Sequence, residues 1–348
     1  MTLEILWFFI VGVLFVGYFV LDGFDFGVGM SLPFVAKNDV ERRQVINTIG
    51  PVWDMNETWV IVAGASLFAA FPEWYSTLFS GAYLALVLIL LALILRGVSF
   101  EYRHQNKSSR WKAWFDTFIV VGSALPALLW GVAVANIVNG LPIRAEQGVI
   151  GSAFVFEGSL LTLLNPYALL GGLTTLLLFF THGVQFVAMK TDGPVRDRAH
   201  LLGRRLGLIT IVVAASFLLW TIIAHFSVTV VVLSLLAAVM LIAGVAANWV
   251  QRDGLAFTFT ALTVVFAVLT LWMVLFTSYP THMVLPSTYG VADSLTLTNA
   301  SSSANTLSFM TWVGAIALPI VLLYQGWTFW VFRKRVRRSD IEQVTVAA

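Results

Sequence analysis

The sequence predicts an all-α polytopic membrane protein with nine transmembrane helices. They are expected as two four-helix units plus one helix, with the N-terminus outside and the C-terminus cytoplasmic. Three observations lead there. First, 59% of the 348 residues are hydrophobic and only 11% are charged, against roughly 45–50% apolar and about 25% charged in a soluble domain. A soluble globule has to cover itself with polar groups, so this composition excludes a soluble enzyme, a disordered chain and a nucleic-acid-binding module. Second, the chain contains repeated apolar runs of the ~20 residues that a helix needs to cross a bilayer. Third, the Lys and Arg residues fall almost entirely between alternate runs.

The spans are expected at 5–30, 51–71, 77–100, 114–138, 159–187, 206–225, 228–250, 255–277 and 307–332, within one transmembrane domain covering 1–348. Runs such as Leu84 to Leu95 lack the two-residue alternation of a membrane strand, which excludes a barrel. After spans one, three, five, seven and nine come 18 of the 20 basic residues, from Lys37 to Arg338. Arg144 is the exception on the other side, and Arg96 lies inside span three. Basic loops stay in the cytoplasm, so nine spans put the N-terminus outside. A gain or loss of one span would scramble that bias. The first span has no basic leader and is followed by acids, which argues against a cleaved signal. Short connections are expected at 72–76 and near 226, and longer outer loops at 139–158 and 278–306, the second an ordered or partly ordered surface loop. No residue repeat marks the two four-helix units.

Net charge is +2 and cysteine is absent. The chain therefore has no disulfide, no thiolate metal site and no covalent c-type haem attachment. The five histidines, His104, His182, His200, His225 and His282, include no HxxxH pair for zinc and no second imidazole near His182 for a bis-histidine haem. His182 reads as a buried, hydrogen-bonded histidine.

The informative residues are the ionisable ones at membrane depth, which cost a few kcal/mol unless they pair, hydrate or conduct. Asp22 and Asp25 lie toward the inner end of span one, three residues apart and so on one helical face. Asp54 and Glu57 open span two with the same spacing. Arg96 and Glu101 close span three. If the three helices are neighbours, these groups make one polar pocket facing the cytoplasm. The competing reading for Asp54 and Glu57 is complementation of the positive helix start after Pro51, with Asn47 or Thr48 as cap. Arg96 reads as a counter-ion to the acids. Asp25, set among aromatic residues and glycines, has no such local explanation. Gly23 and Gly27 form a small-xxx-small step that lets a second helix approach.

These residues resemble a known family. Gly23-Phe24-Asp25-Phe26-Gly27-Val28-Gly29 is similar to the first-helix motif of subunit II of cytochrome bd-type quinol oxidases. Arg42-Arg43, Asn47 to Asp54, Asn56-Glu57 and Trp59 resemble its second-helix signature. Leu95 to Arg103, Asn165-Pro166-Tyr167 and Met310-Thr311-Trp312 match further, so the resemblance spans nearly the whole chain. Met55 stands where the family carries glycine and Thr58 where it carries valine, which puts close backbone packing at position 55 in doubt. The resemblance implies a haem-free subunit of a quinol:O2 oxidoreductase in the bacterial cytoplasmic (inner) membrane. Its main partner is the haem-bearing subunit I, which carries two b-type haems and one d-type haem. A small single-span subunit, a bound quinone and lipids are optional additions, and no nucleic acid is expected. The implied proton pathway uses Asp54 and Glu101, with Asp25 beside them. Asp22, Glu57, Arg96, Trp53 and Asn47 form the supporting polar cluster. The alternative function is a stand-alone proton- or cation-coupled transporter, which intramembrane acids with a paired arginine would also suit.

Overall fold

The computed structural model describes residues 2–146, 154–278 and 282–347, with side chains described through 342. The helices are α1 (Leu3–Val35), α2 (Asp39–Ile46), α3 (Trp53–Ala70), α4 (Pro72–Gly81), α5 (Tyr83–Tyr102), α6 (Ser109–Asn139), α7 (Pro166–Lys190), α8 (Gly193–Ala224), α9 (Val228–Trp249), α10 (Asp253–Phe276), α11 (Leu297–Ala300), α12 (Ala304–Val331) and α13 (Arg338–Ala347). Two antiparallel ribbons, β1 (Ile143–Ala145) with β2 (Phe154–Phe156) and β3 (Met283–Leu285) with β4 (Leu295–Thr296), cover one end. Among the described residues, α1, α5, α6, α7, α8, α9, α10 and α12 are long and apolar enough to cross a membrane. The span expected at 51–71 corresponds to α3. It has 18 residues, with Asp54, Asn56 and Glu57 near its start.

Several expected boundaries move for identifiable reasons. Residues 72–76 are not a hairpin connection but the start of α4. Pro72 occupies the first helical turn with Glu73 beside it, as suits a helix beginning. The chain turns at Phe71 instead, whose φ of −136° and ψ of 69° are non-helical. The stretch expected as one span from 77 is broken at Ala82 into α4 and α5. α7 starts at Pro166 rather than 159, because Asn165 caps it by accepting from the Ala168 amide at 2.9 Å. α8 begins at Gly193 and reaches far beyond the apolar run. The described part of the 278–306 loop is ordered. Val284, Leu285 and Leu295 are buried, and Thr296 and Asn299 form a capping box for α11. The middle of the 139–158 loop, residues 147–153, lies outside the described residues, as do 279–281.

α1 and α7 run through the centre. α7, α8, α9 and α10 close into a ring of neighbours, and α1 packs on α3, α6, α7 and α10. The closest approach of α1 and α7 is at Gly27 and Gly183. A Cβ on Gly27 would lie 2.0 Å from the Phe179 carbonyl oxygen, and one on Gly183 would lie 2.3 Å from the Gly27 carbonyl carbon. The close contact anticipated from Gly23 and Gly27 is therefore made with α7. By contrast α12 lies on the outside: among its residues only Leu307, Gln325 and Thr328 are buried. The basic residues gather at one end of the bundle, hereafter the basic end, where α2 lies across the helix ends.

Candidate functional site

The site is set by α1, α3 and α5. On α5 the buried positions Ala85, Ile89, Ala92, Leu93, Arg96 and Ser99 recur every three or four residues, which turns Arg96 inward. Its Nη2 donates to Asp22 Oδ1 of α1 at 2.6 Å and to Glu57 Oε2 of α3 at 2.8 Å. The side chains of Arg96 and Asp22 are wholly buried, and that of Glu57 is 22% exposed. The guanidinium carbon also lies 4.4 Å from the Phe26 ring centre, a cation–π arrangement that strengthens when water is excluded.

Asp25, one turn along α1, is wholly buried too. Its Oδ2 accepts from Asn56 Nδ2 at 2.8 Å. Asn56 Oδ1 accepts from Gln325 Nε2 of α12 at 3.0 Å, and Gln325 Oε1 accepts from Trp59 Nε1 at 3.3 Å. These bonds fix both amide orientations. Asp22 Oδ2 and Asp25 Oδ1 receive no hydrogen bond from a described residue. Two carboxyl groups therefore share one guanidinium, a third lies one turn away on an amide, and two carboxyl oxygens receive no hydrogen bond.

The remaining expected residues fall elsewhere. Asp54 and Glu101 are exposed, and neither makes a hydrogen bond or ion pair with a described residue. Trp53 packs on Phe100 with ring centres 5.1 Å apart and covers Gly97. Asn47 is exposed at the end of α2 and does not cap α3, and neither does Thr48. Thr48 Oγ1 instead donates back to the Val45 carbonyl at 2.7 Å, since residues 47–52 are turns that separate both side chains from α3. Met55 and Thr58, the two departures from the motif, both line a cavity of about 290 Å³ between α1, α3 and α12. Met55 thus borders open space shared by the three helices, which accommodates its side chain.

His182 is buried, with Nδ1 2.8 Å from Thr260 Oγ1, Nε2 3.3 Å from the Val20 carbonyl, and its ring stacked on Phe257. Both nitrogens are engaged: Nε2 donates to the Val20 carbonyl, and the lone pair left on Nδ1 faces the Thr260 hydroxyl. Among the described residues no group of three or more His, Asp or Glu could hold a metal ion.

Sequence reading missed a second ionic lattice at the basic end. Arg103 is buried between Asp116 (Nε–Oδ1 2.6 Å) and Asp39 (2.9 Å), Arg42 also reaches Asp116 at 2.9 Å, and Lys112 reaches Asp39 at 2.7 Å. Arg198 pairs with Glu41 at 2.7 Å. Burial disfavours ionised Asp39, but the hydrogen bonds of Lys112 and Arg103 outweigh it and hold the carboxyl below its ordinary range. Glu41 is lowered likewise: burial opposes, and the Lys37 amide and Arg198 prevail. Asp116 had a signal, an acid inside an apolar run. Gln325 had none, because nothing local says which residue of the last helix meets α3.

A bundle of apolar helices enclosing one arginine among three acids defines an integral membrane protein with a charged interior site. The comparisons with known proteins are specific. Residues 3–332 match the model of the cytochrome bd terminal oxidase subunit II family, and the chain belongs to that family. It is 33% identical to the cytochrome bd-I ubiquinol oxidase subunit 2 of Escherichia coli K12, covering 99% of this chain and 98% of that one. It is 36% identical to the cytochrome bd ubiquinol oxidase subunit 2 of Bacillus subtilis 168, over 97% and 98%. The fold is shared with a chain of the bd oxidase structure from Geobacillus thermodenitrificans, with a TM-score of 0.72 at 17% identity, covering 96% of this chain and all of that one.

Proposed function

We propose that this chain is the haem-free subunit of a membrane quinol:O2 oxidoreductase, which scaffolds the haem-bearing subunit and supplies carboxylates for proton uptake from the cytoplasm. Family membership and the full-length relatives support the oxidase assignment. The engagement of both His182 nitrogens supports haem being held elsewhere. α3 is counted as the ninth crossing. The basic end then faces the cytoplasm by the charge bias of its loops.

The observation that carries the proton reading is the imbalance at Arg96. Asp22, Asp25 and Glu57 outnumber the one cation. A low-dielectric interior does not hold uncompensated charge, because desolvation costs several kcal/mol per ion. The surplus carboxyls hold protons instead, at Asp22 Oδ2 and Asp25 Oδ1, the oxygens left free. A carboxyl shifts between neutral and charged forms as nearby charge changes, which suits a group that loads when the partner subunit consumes protons. Exposed Asp54 and Glu101 collect protons at the basic end, and Glu57, partly exposed and bonded to Arg96, connects them inward.

The test uses the intact complex purified with its haem-bearing partner. Asp25→Asn and, separately, Asp54→Asn should lower quinol-driven oxygen consumption by roughly tenfold or more, the scale seen when a proton-transfer group is lost, with haem absorption unchanged. Full turnover in Asp25→Asn would refute the buried site. Full turnover in Asp54→Asn would return Asp54 to complementing the α3 dipole.

A further inference from the structure

Arg96 has more hydrogen atoms to donate than its two carboxyl partners accept. A guanidinium carries five N–H groups and keeps its charge in a protein. Its Nη2 serves Asp22 Oδ1 and Glu57 Oε2, which uses two of the five. Nε and Nη1, with the other three, reach no acceptor on a described residue. Asp22 Oδ2 and Asp25 Oδ1 are the unmatched oxygens nearby. Covalent geometry alone keeps the first of them close, since it shares a carboxyl with the oxygen 2.6 Å from Nη2. Arg96, Asp22 and Asp25 are wholly buried by this chain's own helices, so a partner subunit cannot reach them.

A third unmatched oxygen comes from α6. Ser123 is wholly buried, and its Oγ has no hydrogen-bond partner among the described residues. Ser and Thr inside helices can donate back to the carbonyl four residues earlier, as Ser99, Thr174, Thr210 and Thr270 do. Ser123 does not. Its Oγ is turned to α1, where a Cβ on Gly29 would collide with it. Positions 22, 25 and 29 share one face of α1 by their spacing of three and four, so Ser123 stands one turn from Asp25 over the same face. The adjacent Gly122 lies against α5, where an added Cβ would be 2.9 Å from Arg96 Cβ. Gly29 and Gly122 thus draw α1, α5 and α6 together around these groups. The unmatched atoms do not bond one another, and polar groups held more than about 3.5 Å apart are the ones that a water joins.

We propose that Arg96, Asp22, Asp25 and Ser123 bind internal water, and that Ser123 is a positioning residue that holds this water against Asp25. Three N–H groups and three oxygens need partners, and a buried water makes about three hydrogen bonds, so the site takes about two waters. A charged donor sealed from solvent with most of its N–H groups unmatched is among the costliest features a fold can carry, and water removes that cost. It also gives the acids a path between them. A proton leaving one carboxylic acid enters the water, an equivalent proton leaves the water for the other carboxylate, and the water is unchanged. This relay rests on the proton-handling reading of the buried acids, whereas the binding of water does not.

The test uses the intact oxidase complex. Electron cryomicroscopy at a resolution that shows ordered solvent should reveal density within hydrogen-bond distance of Arg96 Nη1 and Ser123 Oγ. Infrared spectra should contain an O–H stretch that moves to lower frequency in water enriched in oxygen-18. In Ser123→Ala, which removes only a hydroxyl, that density and that band should weaken. Oxygen consumption should fall severalfold and its pH profile should shift, with haem absorption unchanged. An unmodified complex with neither density nor band overturns the water site. Density and band unaltered in Ser123→Ala overturn the role of Ser123. Wild-type turnover and pH profile in a Ser123→Ala complex that has lost the water overturn the relay. Asp25→Asn separates the two readings: if it keeps full turnover, the proton role of the buried acids has failed, while the density still decides whether water is bound.

Discussion

Arg96 is the residue on which the interior depends. Removing a buried cation leaves Asp22 and Glu57 without their partner, and breaking a buried pair from one side costs about 3–5 kcal/mol. Arg96→Met should therefore lower the thermal midpoint of the purified complex by several degrees, measured by the loss of native absorption on heating. Arg96→Lys should recover only part of it, because a compact ammonium on a flexible stem does not reproduce both the donor position of Nη2 between Asp22 and Glu57 and the flat contact on the Phe26 ring. An unaltered midpoint in Arg96→Met would show that Glu57 is neutral as well and that the site needs no cation. Arg96, Asp22, Asp25 and Glu57 were legible in the sequence as a group, since ionisable residues at similar depth in three successive spans have few other places to go. That Asp54 and Glu101 face outward was not. The buried stripe of α3 is Asn56, Trp59, Ala63, Leu67 and Ala70, and Asp54 is about 200° from Asn56 at 100° per residue. Glu101 is likewise about 200° from Ser99 on α5. Their phase could be calculated only once the inward face was known, and in a membrane helix both faces are apolar.

Among the elements, the crossing of α1 and α7 tolerates least. Gly183→Ala sets a methyl against the Gly27 backbone, which cannot rotate aside as a side chain would. Overpacking of this kind costs about 1–3 kcal/mol, and α1 carries Asp22 and Asp25, so the variant should lose both thermal stability and turnover. Gly64→Ala, on α3 with nothing within 4 Å of an added Cβ, should be neutral or slightly stabilising by helix propensity. Equal behaviour of the two variants, read as thermal midpoints, would contradict the assigned crossing. The sequence pointed to a close approach at Gly23 and Gly27 but could not name α7 as the partner, because a small-residue step marks a contact surface and not what fills it. The same limit explains Gln325. Its partner Asn56 is 269 positions away, and no local periodicity encodes such a pairing. Helix starts were misjudged where apolar runs do not coincide with helices. Pro72 and Asn165 lie inside or beside hydrophobic stretches, and the preference of proline for a first helical turn and the Asn165 cap outweigh hydropathy there.

For the molecule as a whole, the account divides labour between two charged regions. At the basic end, Asp39, Glu41, Asp116 and Asp253 are matched or outnumbered by Arg and Lys partners, an arrangement that fastens helix ends together. Deeper, around Arg96, acids outnumber the cation, the arrangement on which the proposed proton storage rests. The central claim is that these surplus carboxyl groups are neutral at the working pH of the oxidase. Infrared spectroscopy of the intact complex reads protonated carboxyl groups directly through their C=O stretch. A buried carboxylic acid band is expected at neutral pH in the unmodified complex and should lose intensity in Asp25→Asn. Spectra in which the band is missing, or persists unaltered in Asp25→Asn, would contradict the claim.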